Sequence, residues 1–415
     1  MMNSNTKIWL SGFAGGAAVV LALGIGSFYI QYGTLPFVGD SVVTGETGEK
    51  AAKIERIIEN NYLEDVDEKT LAEGMYAGMM ASLGDKYSGY YSEDDYKKLK
   101  ESSEGKYTGI GLVMEQNRET GKITVAQCYA GSPAAEAGIQ AGDEIYKIGE
   151  QLAAELDVTD ISNQIKNGDT KEIELTIKRE GLEETFTVTI VPDTVEIPVV
   201  SSRMLENSVG YLQIAEFTDG TSEQFRTAYQ ELQDENMKGM IIDLRNNPGG
   251  LLDAVCDTLE QILPEGLIVY TEDKYGKREE HTCDGEAPME IPLVVLVNGE
   301  SASAAEIFAG AVKDHGIAEL VGTTTFGKGI VQKIYTLSDG SAVKLTVSKY
   351  YTPNGINIHG TGIEPDIKVE WPEDQEEQVS PSEVNELSFA EWIQKDNQMK
   401  RAWEEIISMV AEEEE

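Results

Sequence analysis

Between residues 207 and 370, short and almost wholly apolar runs alternate with amphipathic stretches, and this pattern limits the fold more than any other feature of the chain. VGYLQI (209–214), GMIIDLR (239–245), PLVVLVN (292–298) and AELVG (318–322) have strand length and place apolar residues at successive positions, not at every second one. Strands of that kind are buried on both faces, so helices must cover their sheet from two sides. Segments around Ser222–Gln233, after Gly250, and from Ser303 to about Asp314 supply those helices. The class is α/β, and SAVKLTVSKYYTP (341–353) adds a long strand.

A different pattern precedes it. KYTGIGLVMEQ (106–116), KITVAQ (122–127), EIYKIG (144–149), EIELTIKR (172–179) and TFTVTIV (185–191) are strand-like and separated by Gly and Asp turns, with short helical stretches at 132–138 and 158–166. They outline a β-rich module over 101–195. Apolar residues at helical spacing make 50–100 a helical arm, 371–386 is an acidic linker, and 387–415 is a last amphipathic helix suited to packing or dimerisation. No charge occurs between Lys7 and Asp40, and the stretch 8–30 is long enough to cross about 30 Å of hydrocarbon. With Lys7 on the short side, residues 1–7 are expected in the cytoplasm and the body outside the cell membrane, held by this single span. A cleaved signal peptide is the competing reading.

Charge narrows the function. Seventy-four Asp and Glu against 33 Lys and Arg leave a formal charge of −41, which repels nucleic acid and anionic membrane surfaces alike. The three cysteines have no metal or disulfide spacing, no phosphate loop occurs, and no cofactor is expected.

Three segments at strand ends carry groups suited to chemistry: DLRNNPGG (243–250), VNGESASAAEIFAGA (297–311) and GTTTFGKGIVQ (322–332). The first is a Gly-Gly turn opening a helix, whose free amides suit an oxyanion hole. The second puts a serine cluster where a strand turns into a helix, with the helix dipole behind it. His281, His315 and His359 sit in no motif that pairs with an acid and a serine, so a Ser-His-Asp triad is disfavoured. Lys328 serves as a base if burial keeps its amine neutral, and Phe326, Ile330 and Val331 flank it. Taken alone, each serine has an ordinary use as a helix cap.

Together these strings resemble the carboxy-terminal processing proteases, PDZ-containing serine peptidases that are exported or membrane-anchored. The resemblance spans roughly 50–370. It implies a crotonase-like α/β core of mixed sheet and helices over 200–370, with an inserted PDZ domain and helical arms. It also implies a Ser-Lys mechanism through an acyl-enzyme. Ser303 would be the nucleophile, favoured over Ser301 by the 25-residue spacing to Lys328; Lys328 would be the base and Gln332 its orienting partner. Oxyanion donors would be the amides of Ala304 and of Gly249 or Gly250. Ala305 stands where many relatives have a third serine.

The β-rich module resembles PDZ domains through TGIGL (108–112) and SPAAEAGIQAGDEIYKIG (132–149). Gly109, Ile110 and Gly111 would then bind a peptide's terminal carboxylate, making protein C-termini the partners. A homodimer is implied by the resemblance alone. The expected function is that of a membrane-anchored serine endopeptidase recognising protein C-termini. The alternative is a PDZ-bearing binding protein with an inactive or partner-activated core.

Overall fold

A computed structural model describes residues 45–167, 172–372 and 387–413. The expected span at 8–30 and most of the acidic linker lie outside them. Among the described residues, no helix is long and apolar enough to cross a membrane. Among the described residues, those from 45 to Gly78 form one compact unit and those from Met79 a second. Helices Glu46–Asn61 and Glu68–Ala81 correspond to the expected arm. The arm ends earlier than position 100, because Gly89–Tyr91 is an edge strand paired with Ala342–Tyr351.

In the second unit the main sheet runs, in space, Val200–Met204, Val209–Ile214, Gly239–Asp243, Leu293–Val297, Ala318–Gly322 and Ile367–Lys368. All neighbours are parallel except the first pair. The apolar runs divide as strand geometry requires. Leu293, Val295 and Val297 face Phe225, Val255, Leu259 and Phe308 from helices Thr221–Asp234, Leu252–Leu259 and Ala304–Asp314. Val294 and Leu296 face the opposite way, onto Trp392, Met399 and Ile406 near the C-terminus. Each of these aliphatic strand residues, fully buried, contributes roughly 2 kcal/mol of hydrophobic free energy.

The C-terminal helix is two helices, Phe389–Lys395 and Asn397–Glu413. Asp396 breaks the run: it has extended backbone, and its carboxylate accepts the Met399 N–H at 2.9 Å and pairs with the buried Arg245 at 2.9 Å. A second sheet, of Gly89–Tyr91, Ala342–Tyr351, Gly266–Asp273, Arg278–Cys283 and Ile330–Thr336, was not evident from apolar patterning.

The β-rich module has its own core around Ile123, Ile145, Leu175 and Ile177, with Ile148 also buried. The stretch 106–116 is two strands, Lys106–Gly109 and Leu112–Gln116, divided where Gly111 adopts φ 82°. The chain enters and leaves the module through one ribbon, since Lys106–Gly109 pairs with Asp193–Glu196.

Candidate active site

Parallel strands deliver their following loops to the same sheet edge. The loops after Asp243, Val297 and Gly322 therefore meet there, and side-chain amides join them. Asn298 donates to Asn246 Oδ1 at 2.8 Å and accepts the Asn246 N–H at 3.0 Å, while Asn247 donates to the Ile214 carbonyl at 2.8 Å. Ser301 is fully buried; its hydroxyl donates to the Leu244 carbonyl at 2.7 Å and accepts the Asn298 N–H at 2.9 Å. That geometry makes Ser301 a loop brace.

Ser303 is different. It lines an open cleft of about 310 Å³ and starts helix Ala304–Asp314 with φ 54°, ψ −112°, a conformation costly for any residue bearing a Cβ. Surrounding bonds enforce it. Its N–H donates to Glu306 at 2.9 Å, and its carbonyl accepts the Tyr350 hydroxyl at 3.0 Å and the Glu306 N–H at 2.9 Å. Gly249 leaves the room required: a Cβ there would lie 2.7 Å from Ser303 Cβ and 2.9 Å from Ala304 N.

Glu306 is the residue that sequence reading missed. Fully buried, it accepts from Ser303 N–H, Thr325 hydroxyl (2.5 Å), Gly327 N–H (2.7 Å) and Lys328 N–H (2.8 Å). One carboxylate thus ties the serine turn to the lysine loop. Its signal was present as Ser-Ala-Ala-Glu, the pattern of a capping box.

Lys328 lines the same cleft as Ser303. Its Nζ lies 4.9 Å from the Tyr87 ring centroid. Burial lowers its pKa, and the nearby Lys344 and Lys86 push the same way, against the pull of Glu306. Gln332 also lines the cleft, but its amide donates to Thr346 Oγ1 at 3.3 Å, and among the described residues it makes no bond to Lys328. The resemblance, supported by the four-residue spacing, implied that contact; the strand pairing shifts register between Val331 and Gln332.

Of the expected oxyanion donors, Gly249 is already occupied, its N–H donating to Asn247 Oδ1 at 2.8 Å. Gly250 and Ala304 both line the cleft. Gly250, with φ 137°, lies directly against the Phe217 carbonyl, where a Cβ has no room.

A second cavity, of about 440 Å³, is lined by Gly109, Ile110, Gly111, Tyr107 and Tyr129, and by Lys98 of helix Glu93–Glu104. The Tyr107 ring packs against Gly109. The expected carboxylate loop therefore borders a cavity.

The chain matches the family model described as peptidase family S41 over residues 208–369, a PDZ domain model over 124–179, and the model of the activating protease CtpB N-terminal domain over 38–95. It is 37% identical over 298 residues to a carboxyl-terminal-processing protease of Synechocystis, covering 71% of this chain and 70% of that one. To carboxy-terminal processing protease CtpA of Bacillus subtilis it is 34% identical over 349 residues, covering 82% and 74%. The solved photosystem II D1 C-terminal processing protease aligns at 26% identity with a TM-score of 0.47, over 88% of this chain and 95% of that one.

Proposed function

Because this chain belongs to the carboxy-terminal processing proteases, serine-type peptidases of family S41 with a PDZ domain, we propose that it cleaves protein substrates through an acyl-enzyme on Ser303 with Lys328 as general base. The observation that carries this reading is that a single cleft brings together Ser303, Lys328, Gly250 and Ala304. Neutral Lys328 takes the Ser303 proton as the hydroxyl attacks the scissile carbonyl, then returns it to the leaving amine. The Gly250 and Ala304 amides receive the developing oxyanion, the second backed by the helix dipole. Water, deprotonated by the same lysine, releases the acyl group. Gln332, through Thr346, acts on the cleft wall beside the lysine, a positioning role.

Substrate tails bind at Gly109–Gly111, with Lys98 at the cavity wall as counter-charge for the terminal carboxylate. Residues 8–30 anchor the chain in the cell membrane with the catalytic part outside, a reading supported by their uninterrupted apolar sequence. Dimerisation is proposed by family likeness only.

The test is incubation of the purified full chain, and of its Ser303→Ala and Lys328→Ala variants, with an unstructured protein ending in small apolar residues. Mass spectrometry follows the products. Wild-type trimming, with a loss of at least about a thousandfold in both folded variants, is the expected result. Undiminished cleavage by either variant would remove that residue from the mechanism.

A further inference from the structure

The catalytic cleft is electrically lopsided. Lys328 and Lys344 both line it, and the Lys344 charge disfavours charge on Lys328. Glu216 lines it too, yet among the described residues its carboxylate has no hydrogen bond or ion-pair partner, and neither lysine acts on it. Its backbone position is fixed. The Thr221 hydroxyl donates to the Glu216 carbonyl at 3.0 Å, and the next residue, Phe217, is bonded on both sides to the glycine turn, to Gly249 and Leu251 at 2.8 Å each. Glu216 is therefore seated beside the turn that carries the Gly250 amide.

A carboxylate in that position is unusual in energetic terms. Burial holds its pKa above the ordinary range, with no compensating donor. The ionised form lacks a cation, and a positively charged group entering the cleft would supply one. The remaining lining near it, Phe217, Leu251 and Leu252, is apolar and suits the stem of a long side chain.

We propose that Glu216 is the specificity-determining carboxylate of the cleft, selecting peptides that place a lysine or arginine side chain within a few residues of the scissile bond. This rests on the assignment of the cleft around Ser303 as the place of cleavage.

The experiment uses full-length enzyme and peptides sharing one C-terminal tail, in which a lysine is walked across the positions on either side of the cleaved bond. Each peptide has a norleucine twin that keeps the stem and removes the charge. At one position kcat/KM for the lysine peptide is expected to exceed that of its twin about tenfold. Glu216→Gln should bring the pair within about twofold, and Glu216→Lys should turn the preference toward a glutamate peptide. Anisotropy with the same peptides and the Ser303→Ala form reads the preference in binding, without turnover. An enzyme that cuts nothing but still holds the lysine peptide through Glu216 sinks the peptidase role of Ser303 and leaves this inference standing. Equal lysine-to-norleucine ratios in wild type and Glu216→Gln, or no lysine preference at any position, overturn it.

Discussion

At the scale of single residues, the proposed mechanism depends on an amine held below its usual pKa. Burial is the largest cause at Lys328, and Lys344 adds repulsion between like charges. Catalysis needs the unprotonated amine, so the acid limb of kcat/KM follows that pKa. Lys344→Met removes a lowering influence and the pKa rises. The acid limb should therefore move to higher pH, with activity reduced near neutrality and recovered on the alkaline side. A limb that stays in place, or moves down, removes Lys344 from this role.

Glu306 is tested differently. Its four donors lose their acceptor in Glu306→Ala, and each buried unmet donor costs about 1–3 kcal/mol. A loss of at least about 3 kcal/mol in urea unfolding is expected, together with a fall in kcat of a hundredfold or more as the Ser303 turn and the Lys328 loop separate. Glu306→Gln keeps the volume but presents an NH₂ to at least one donor, so it should fall between. Equal stability of the alanine variant and wild type would refute the bracing role.

What could be read in advance follows from how local each signal is. Ser303, Lys328 and Gly250 sit in strings whose spacing carries meaning. Tyr350 and Lys344 line the cleft and Tyr87 meets the Lys328 amine, and nothing in their neighbours announces it. The bond of Gln332 to Thr346 and the register shift beside it leave no sign in residue spacing.

At the scale of elements, the C-terminal helices are attached through a buried charge cluster. Arg245 donates to both oxygens of Asp243 and to Asp396, and Tyr211 donates to Asp243 at 3.0 Å. Removing one member leaves uncompensated charge where water cannot reach. Asp396→Ala should lower unfolding free energy by about 3–5 kcal/mol, because it strips Arg245 of a partner and the second helix of its cap. Denaturant midpoints check this, and a change within about 0.5 kcal/mol would mean that the helices are held by Trp392 and its apolar neighbours alone. The apolar strands were legible because burial on both faces leaves a run that permits little else. The strand Ile330–Thr336, half-exposed and mixed in composition, gave no such sign, and Gly89–Tyr91 takes its strand character from a partner some 250 positions later. The helix break at Asp396 was hidden by apolar residues that keep a helical period across it.

At the scale of the whole molecule, one element borders both cavities of the proposed function. Lys98, Glu101 and Ser102 of helix Glu93–Glu104 line the cavity proposed for substrate tails, while Leu99 and Ser103 of the same helix line the cleft proposed for cleavage. The helix is not loosely placed. Its C-cap Gly105, at φ 63°, packs against Thr218, its carbonyl accepts the Ile197 N–H at 2.8 Å, and Ser103 accepts from Asp219 at 3.4 Å. A ligand that shifts the helix at Lys98 must also move Leu99 and Ser103, since the residues share one rigid turn. Occupancy of the first cavity is therefore expected to alter turnover in the second even when the two peptides are separate molecules. The measurement uses an amidated substrate, unable to present a carboxylate, with and without a short non-cleavable peptide bearing a free C-terminus. A several-fold change in kcat at saturating tail peptide is expected, reduced by Leu99→Ala, which removes the contact on the cleft side while leaving Lys98 in place. A tail peptide that binds, yet leaves the rate on the amidated substrate unchanged, would show that the helix is a fixed wall between two independent sites.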